Sequence, residues 1–171
     1  MTEPPTDPPT AGERPLLVLL HGHGSDPTAV EPIGRIVAAH TDSVLWCPAG
    51  PCAVDGSGDL ARAWWEPDAD GPDPATIDEL VAALVVHDGP VHLAGFSQGA
   101  ATVLTVASAY SVAAPGRHLR VVVVAGFLSA GGAVPAGADV LVVHGEADES
   151  VDPFHADLIV RRCRRNGCTV T

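Results

Sequence analysis

Gly95-Phe96-Ser97-Gln98-Gly99 is the stretch on which the reading turns. It follows the apolar run Val91-His92-Leu93-Ala94 and leads into the small-residue run Ala100-Ala101-Thr102-Val103-Leu104. The order is strand, sharp turn, helix, with a serine at the tip. In a G-x-S-x-G turn of this kind the serine sits on a strained backbone that lifts its hydroxyl above the sheet. Glycine two residues to either side leaves room where a Cβ would crowd the turn. The following helix aims its first N–H groups and positive dipole end at the same spot. Its place between a strand and a helix separates this stretch from a chance serine between two glycines.

The pattern repeats on both sides. Leu16–Leu20 is a continuous apolar run, short enough for a buried parallel strand. After the loop His21-Gly22-His23-Gly24-Ser25, Asp26 and Pro27 read as an N-cap and first-turn proline, opening a helix to about His40. Strands follow at residues 43–47, 119–125 and 138–144, and a sixth begins at Cys168. Residues 50–71 read as a long irregular segment holding Trp64 and Trp65. A second helix starts after Asp73-Pro74, with Thr76 to Glu79 able to form a capping box. The elbow helix runs from Gln98 to about Ala114, and the last helix from Pro153 to Asn166, closed by Gly167. Apolar strands alternating with helices predict an α/β domain over residues 15–171, a mostly parallel sheet with helices on both faces. Residues 1–14, rich in proline, threonine and acid, read as a disordered tail.

Composition narrows the function. A formal net charge of -12 argues against nucleic acid and anionic membranes as partners. No apolar run approaches the ~20 residues of a membrane span, and the start lacks the basic and apolar regions of a signal peptide, so a cytoplasmic protein is expected. The four cysteines form two C-x4-C pairs, Cys47/Cys52 and Cys163/Cys168, read as reduced structural thiols with no metal site. Arg161, Arg162, Arg164 and Arg165 cluster in the last turns of a helix, where cations complement the dipole.

Acyl transfer needs a nucleophile, a base, an orienting carboxylate and an oxyanion hole. Ser97 is the candidate nucleophile. The candidate hole is the backbone N–H of Gln98 together with that of His23. The candidate acid is Asp148, which follows the strand ending at His144; Glu146, Glu149 and Asp152 are neighbours that remain open. No cofactor is called for. Among the histidines, His155 near the start of the last helix is the candidate for a resident base, provided its ring reaches Ser97 within ~3 Å.

Several stretches together resemble the phospholipase/carboxylesterase family of α/β hydrolases, which includes acyl-protein thioesterases. They are residues 19–24, Ala63-Trp64-Trp65, residues 93–101, Ala125-Gly126-Phe127-Leu128, and residues 144–151, in family order along nearly the whole chain after the tail. The resemblance implies the α/β-hydrolase fold and hydrolysis of a small-molecule carboxylic ester or thioester through an acyl-enzyme. It also implies that Trp64 or Trp65 lines the acyl or leaving-group pocket. The family's catalytic histidine lies in a loop after the strand that here begins at Cys168, and the sequence stops at Thr171. The expectation is therefore a C-terminally shortened chain. The alternatives are a base from a partner chain, a resident histidine, or a silent relative acting as a binding protein. A dienelactone hydrolase-like or peptidase activity on the same fold is a further rival, and the oligomeric state is left open.

Overall fold

The structure, a computed structural model, describes residues 6–8, 12–55 and 60–171. The expected disorder of the tail falls, for residues 1–5 and 9–11, outside the described residues. Its described part is bonded to the body: Trp46 Nε1 donates to the Thr6 carbonyl at 2.9 Å, and Arg14 pairs with Asp42 at 2.8 Å.

Among the described residues six strands form one parallel sheet: β1 (Leu16–Leu20), β2 (Val44–Trp46), β5 (Val91–Phe96), β6 (Leu119–Val124), β7 (Asp139–Val143) and β8 (Thr169–Val170). Their spatial order is β2-β1-β5-β6-β7-β8. The described helices that join them are α1 (Pro27–His40), α2 (Pro74–Val85), α3 (Gln98–Ala113) and α4 (Phe154–Arg165). The chain reverses direction in the sheet between β2 and β5, so the crevice at the carboxyl end of β1 and β5 is where such sheets place a ligand.

Residues 50–71, expected to be irregular, hold a small antiparallel pair, β3 (Cys52–Ala53) and β4 (Arg62–Ala63). Its strands are too short to show an alternating pattern. The α2 cap also differs in detail from expectation. Asp73 is the N-cap and accepts the Ala75 N–H at 2.8 Å, which leaves no role for a box begun by Thr76. Asp26 caps α1 as expected, accepting from Thr28 N at 2.7 Å. Gly167, at φ +77°, ends α4, and Cys168 N–H returns to the Cys163 carbonyl at 3.0 Å.

Strand periodicity sorts the core. Leu16, Val18 and Leu20, Val91 and Leu93, Val121 and Val123, and Val140 all point to the face covered by α3 and its neighbours, and all are buried. Helix α3 is apolar on nearly every side because it lies between the sheet and α2; Val103, Leu104, Val106 and Tyr110 are among its buried residues. The other face carries Leu17, Leu19, Ala94, Phe96, Val122 and Val124, and α1 packs against its β1–β2 half. Beyond α1 this face is open. Phe96, Leu141 and Val143 are 52%, 41% and 46% exposed, and a cavity of about 600 Å³ lies between α1 and the strands.

Candidate active site

Three loops lie along one edge of the sheet because β1, β5 and β7 run parallel and end there. They are residues 21–26, Ser97, and residues 144–153.

Ser97 sits at φ 52°, ψ -118°, a strained conformation for a residue with a Cβ. The flanking glycines explain how the strain is held. A Cβ at Gly95 would lie 2.5 Å from the Gly99 carbonyl carbon, and one at Gly99 would lie 2.3 Å from the His21 carbonyl oxygen. The turn closes only because both positions are bare. Ser97 N–H donates to the Val124 carbonyl at 2.9 Å, which fixes the tip against β6. Among the described residues the Ser97 hydroxyl makes no hydrogen bond. The backbone N–H groups of His23 and Gln98 also lack a partner among the described residues. For Gln98 this follows from its place at the start of a helix, where the first N–H groups have no carbonyl to reach.

The Gln98 side chain is buried and points away from the edge. Its Oε1 accepts the Trp64 N–H at 2.9 Å and its Nε2 donates to the Trp65 carbonyl at 3.0 Å. Trp64 in turn is 1% exposed, and its indole Nε1 donates to the His21 carbonyl at 2.8 Å. His21 completes the brace. Its Nδ1–H faces the Gly22 carbonyl at 2.8 Å, while Nε2 accepts from Gly50 N–H at 3.0 Å. That pair of partners suits the neutral ring, and burial lowers the His21 pKa. The residues expected to line a pocket thus separate. Trp64 is a core strut under the His21 loop. Trp65 lies edge-on to Phe127, with ring centroids 6.1 Å apart. This brace was not predicted from sequence; the Gln98 next to the serine and the paired tryptophans were its only trace.

Asp148 is held by its own loop. Its Oδ1 accepts N–H groups from Ser150 at 2.9 Å and Val151 at 3.0 Å. These bonds, Val151 first, lower its pKa, and His144 adds to the effect. The His144 Nε2 lies 3.6 Å from Asp148 Oδ2 and 2.8 Å from the Val151 carbonyl. Of the other acids weighed, Asp152 caps the start of α4, accepting from Phe154 N–H at 2.8 Å. His155 packs its ring between Phe127 and Phe154, with centroids 6.2 and 6.4 Å away, and its buried Nδ1 has no partner. No hydrogen bond joins His155 to Ser97 or to Asp148 among the described residues. All four cysteines are free, and the described residues contain no cluster of metal-ligating side chains. No described helix is long and apolar enough to cross a membrane.

The profile of the phospholipase/carboxylesterase family matches residues 2–167. Solved structures share the fold. Esterase PE8 is 23% identical, with a TM-score of 0.74 over 98% of this chain and 84% of that one. SOBER1 of Arabidopsis thaliana is 20% identical, with a TM-score of 0.65 over 91% and 85%. A carboxylesterase from Mesorhizobium loti is 24% identical, with a TM-score of 0.66 over 94% and 79%. No curated protein matches the chain.

Proposed function

The chain belongs to the phospholipase/carboxylesterase family of α/β hydrolases, and from that premise we propose that it cleaves carboxylic esters or thioesters through an acyl-enzyme on Ser97. One observation carries the reading. Ser97 is the strained residue of a turn whose two glycines admit no Cβ, and its hydroxyl has no hydrogen-bond partner among the described residues. A serine kept for packing has no need of that strain.

In the proposed reaction Ser97 Oγ attacks the substrate carbonyl, and the negative oxygen that develops is received by the amides of His23 and Gln98. One such donor stabilises the transition state by about 2.7–4 kcal/mol. Asp148 keeps Oδ2 free of the loop amides and orients the imidazole that takes the serine proton. Loss of that proton to a base, and its return to the leaving alcohol or thiol, balances the first step; water repeats the cycle on the acyl-enzyme. The family's base is a histidine in a loop after the strand that begins near Cys168; within the described residues His155, whose Nδ1 has no partner there, is the candidate substitute, although no hydrogen bond joins it to Ser97 or Asp148. Trp65 and Phe127, stacked edge to face, are the proposed wall of the acyl site.

Hydrolysis of p-nitrophenyl esters and acyl thioesters of increasing chain length tests this. Activity in the parent protein should be lost in Ser97→Ala, and a parallel loss in His155→Ala would assign the base to that ring. Turnover that survives Ser97→Ala unchanged overturns the proposal. Turnover lost in Ser97→Ala but kept in His155→Ala moves the role of base to another group.

A further inference from the structure

Four of the chain's nine basic residues, Arg161, Arg162, Arg164 and Arg165, lie within five positions at the end of α4. The chain carries 21 acids, yet among the described residues none comes within 4.0 Å of these four guanidinium groups. The helix dipole accounts for cations at this end. It does not account for how two of them are placed.

Arg162 and Arg165 line one side of a cavity of about 270 Å³ between α3 and α4. Its other walls are Ser108 of α3, the 132–134 loop and Asn166. The loop is shaped to admit the guanidinium. Gly132 has φ +56°, and a Cβ there would lie 1.8 Å from Arg162 Nη1. Nη1 donates to the Gly132 carbonyl at 2.9 Å, which fixes the plane of the group, and among the described residues the remaining N–H groups of Arg162 have no partner. Ser108 is equally telling. Thr102, Thr105 and Ser111 on the same helix each donate to the carbonyl four residues back, at 3.0, 3.2 and 2.8 Å. Ser108 makes no such bond, so its hydroxyl is available to the cavity.

We propose that this cavity binds a phosphate group, as inorganic phosphate or a phosphomonoester, held by Arg162 and Arg165 with Ser108 as a third donor. Two guanidinium forks and a hydroxyl offer more donors than a carboxylate can accept, and they suit a tetrahedral oxyanion. No acid lines the cavity to neutralise it first. The net charge of -12 repels anions at long range, so binding here depends on the local donors. The site is distinct from the Ser97 edge and does not depend on the catalytic reading.

Isothermal titration and thermal unfolding of the full chain test it, comparing sodium phosphate with sodium chloride at equal ionic strength. The expected result is saturable phosphate binding that raises the melting temperature. It should weaken about tenfold or more in Arg165→Gln, which leaves the Arg162–Gly132 bond intact, and further in Arg162→Gln/Arg165→Gln. Arg161→Gln/Arg164→Gln, with the same loss of charge outside the cavity, should bind as the parent does. Vesicles of phosphatidylcholine with and without phosphatidic acid distinguish the source. Retention on the phosphatidate vesicles, lost in the cavity variants, assigns a lipid phosphate; no retention assigns a free one. No phosphate effect beyond that of chloride, or equal loss in the Arg161/Arg164 variant, overturns the proposal.

Discussion

Gln98 Oε1 accepts the Trp64 main-chain N–H at 2.9 Å, so the residue after the candidate nucleophile fastens the segment after β4 that supports the His21 loop. Through Trp64 Nε1 and the His21 carbonyl, the two proposed oxyanion amides are tied into one buried framework. Positioning is thus built from the backbone and one amide side chain, and it is rigid because the Gln98 amide, the Trp64 indole and the His21 ring all have hydrogen-bond partners.

Gln98→Ala should therefore destabilise the fold. It leaves a buried N–H and a buried C=O without partners, each worth about 1–3 kcal/mol. Gln98→Glu should be no better, because a carboxylate oxygen would replace the donor that faces the Trp65 carbonyl. Urea unfolding of both variants checks this; stability within about 0.5 kcal/mol of the parent would show that the brace contributes nothing.

The elbow glycines differ in kind from turn glycines elsewhere. An alanine at Gly99 meets only backbone, the nearest atom at 2.3 Å, so no rotamer change relieves it. Gly99→Ala should cost roughly 3 kcal/mol or prevent folding. Gly116 also has positive φ, +81°, but open space around it, so Gly116→Ala should cost only about 1 kcal/mol. Melting temperatures of the pair separate crowding from backbone conformation.

The sequence made the sheet legible because its strands are continuous apolar runs bounded by proline, glycine and acid. Leu16–Leu20 and Leu119–Val124 could be read without knowing their neighbours. The Ser97 turn was legible because its sterics are local. The brace was not, since Gln98 and Trp64 are 34 residues apart and nothing in either residue specifies the other. The pairing of β3 with β4 escaped because two-residue strands carry no period. The closeness of His144 to Asp148 follows from a compact loop whose internal hydrogen bonds leave no sequence period.

Acidification should weaken the fold in two stages. Burial lowers the folded-state pKa of His21 and of His92, where Arg120 and His118 add to the effect. Unfolded histidines take up protons first, so stability present at neutral pH is lost as pH falls below roughly 6.5. Asp148, also lowered, contributes stability above its unfolded value that is lost as pH drops below about 4. In His21→Gln the first decline should shrink to the His92 share. Chemical unfolding at a series of pH values reads both; an unchanged first decline in His21→Gln would contradict the burial account of that ring.

The open half of the sheet should be visible in solution. Phe96, Leu141 and Val143 share one face with the cavity beside α1. An apolar dye such as ANS should bind the native chain, and Leu141→Ser/Val143→Ser should reduce its fluorescence while far-ultraviolet circular dichroism is retained. Dye binding that is unaffected would place the exposed apolar surface elsewhere.

The central claim is that Ser97 is an activated nucleophile, and a fluorophosphonate probe reads it directly. Incubation of the folded chain, digestion and peptide mass spectrometry should find one adduct, on Ser97, that disappears in Ser97→Ala. An unmodified Ser97 in folded protein, or labelling that persists in the alanine variant, would contradict the account.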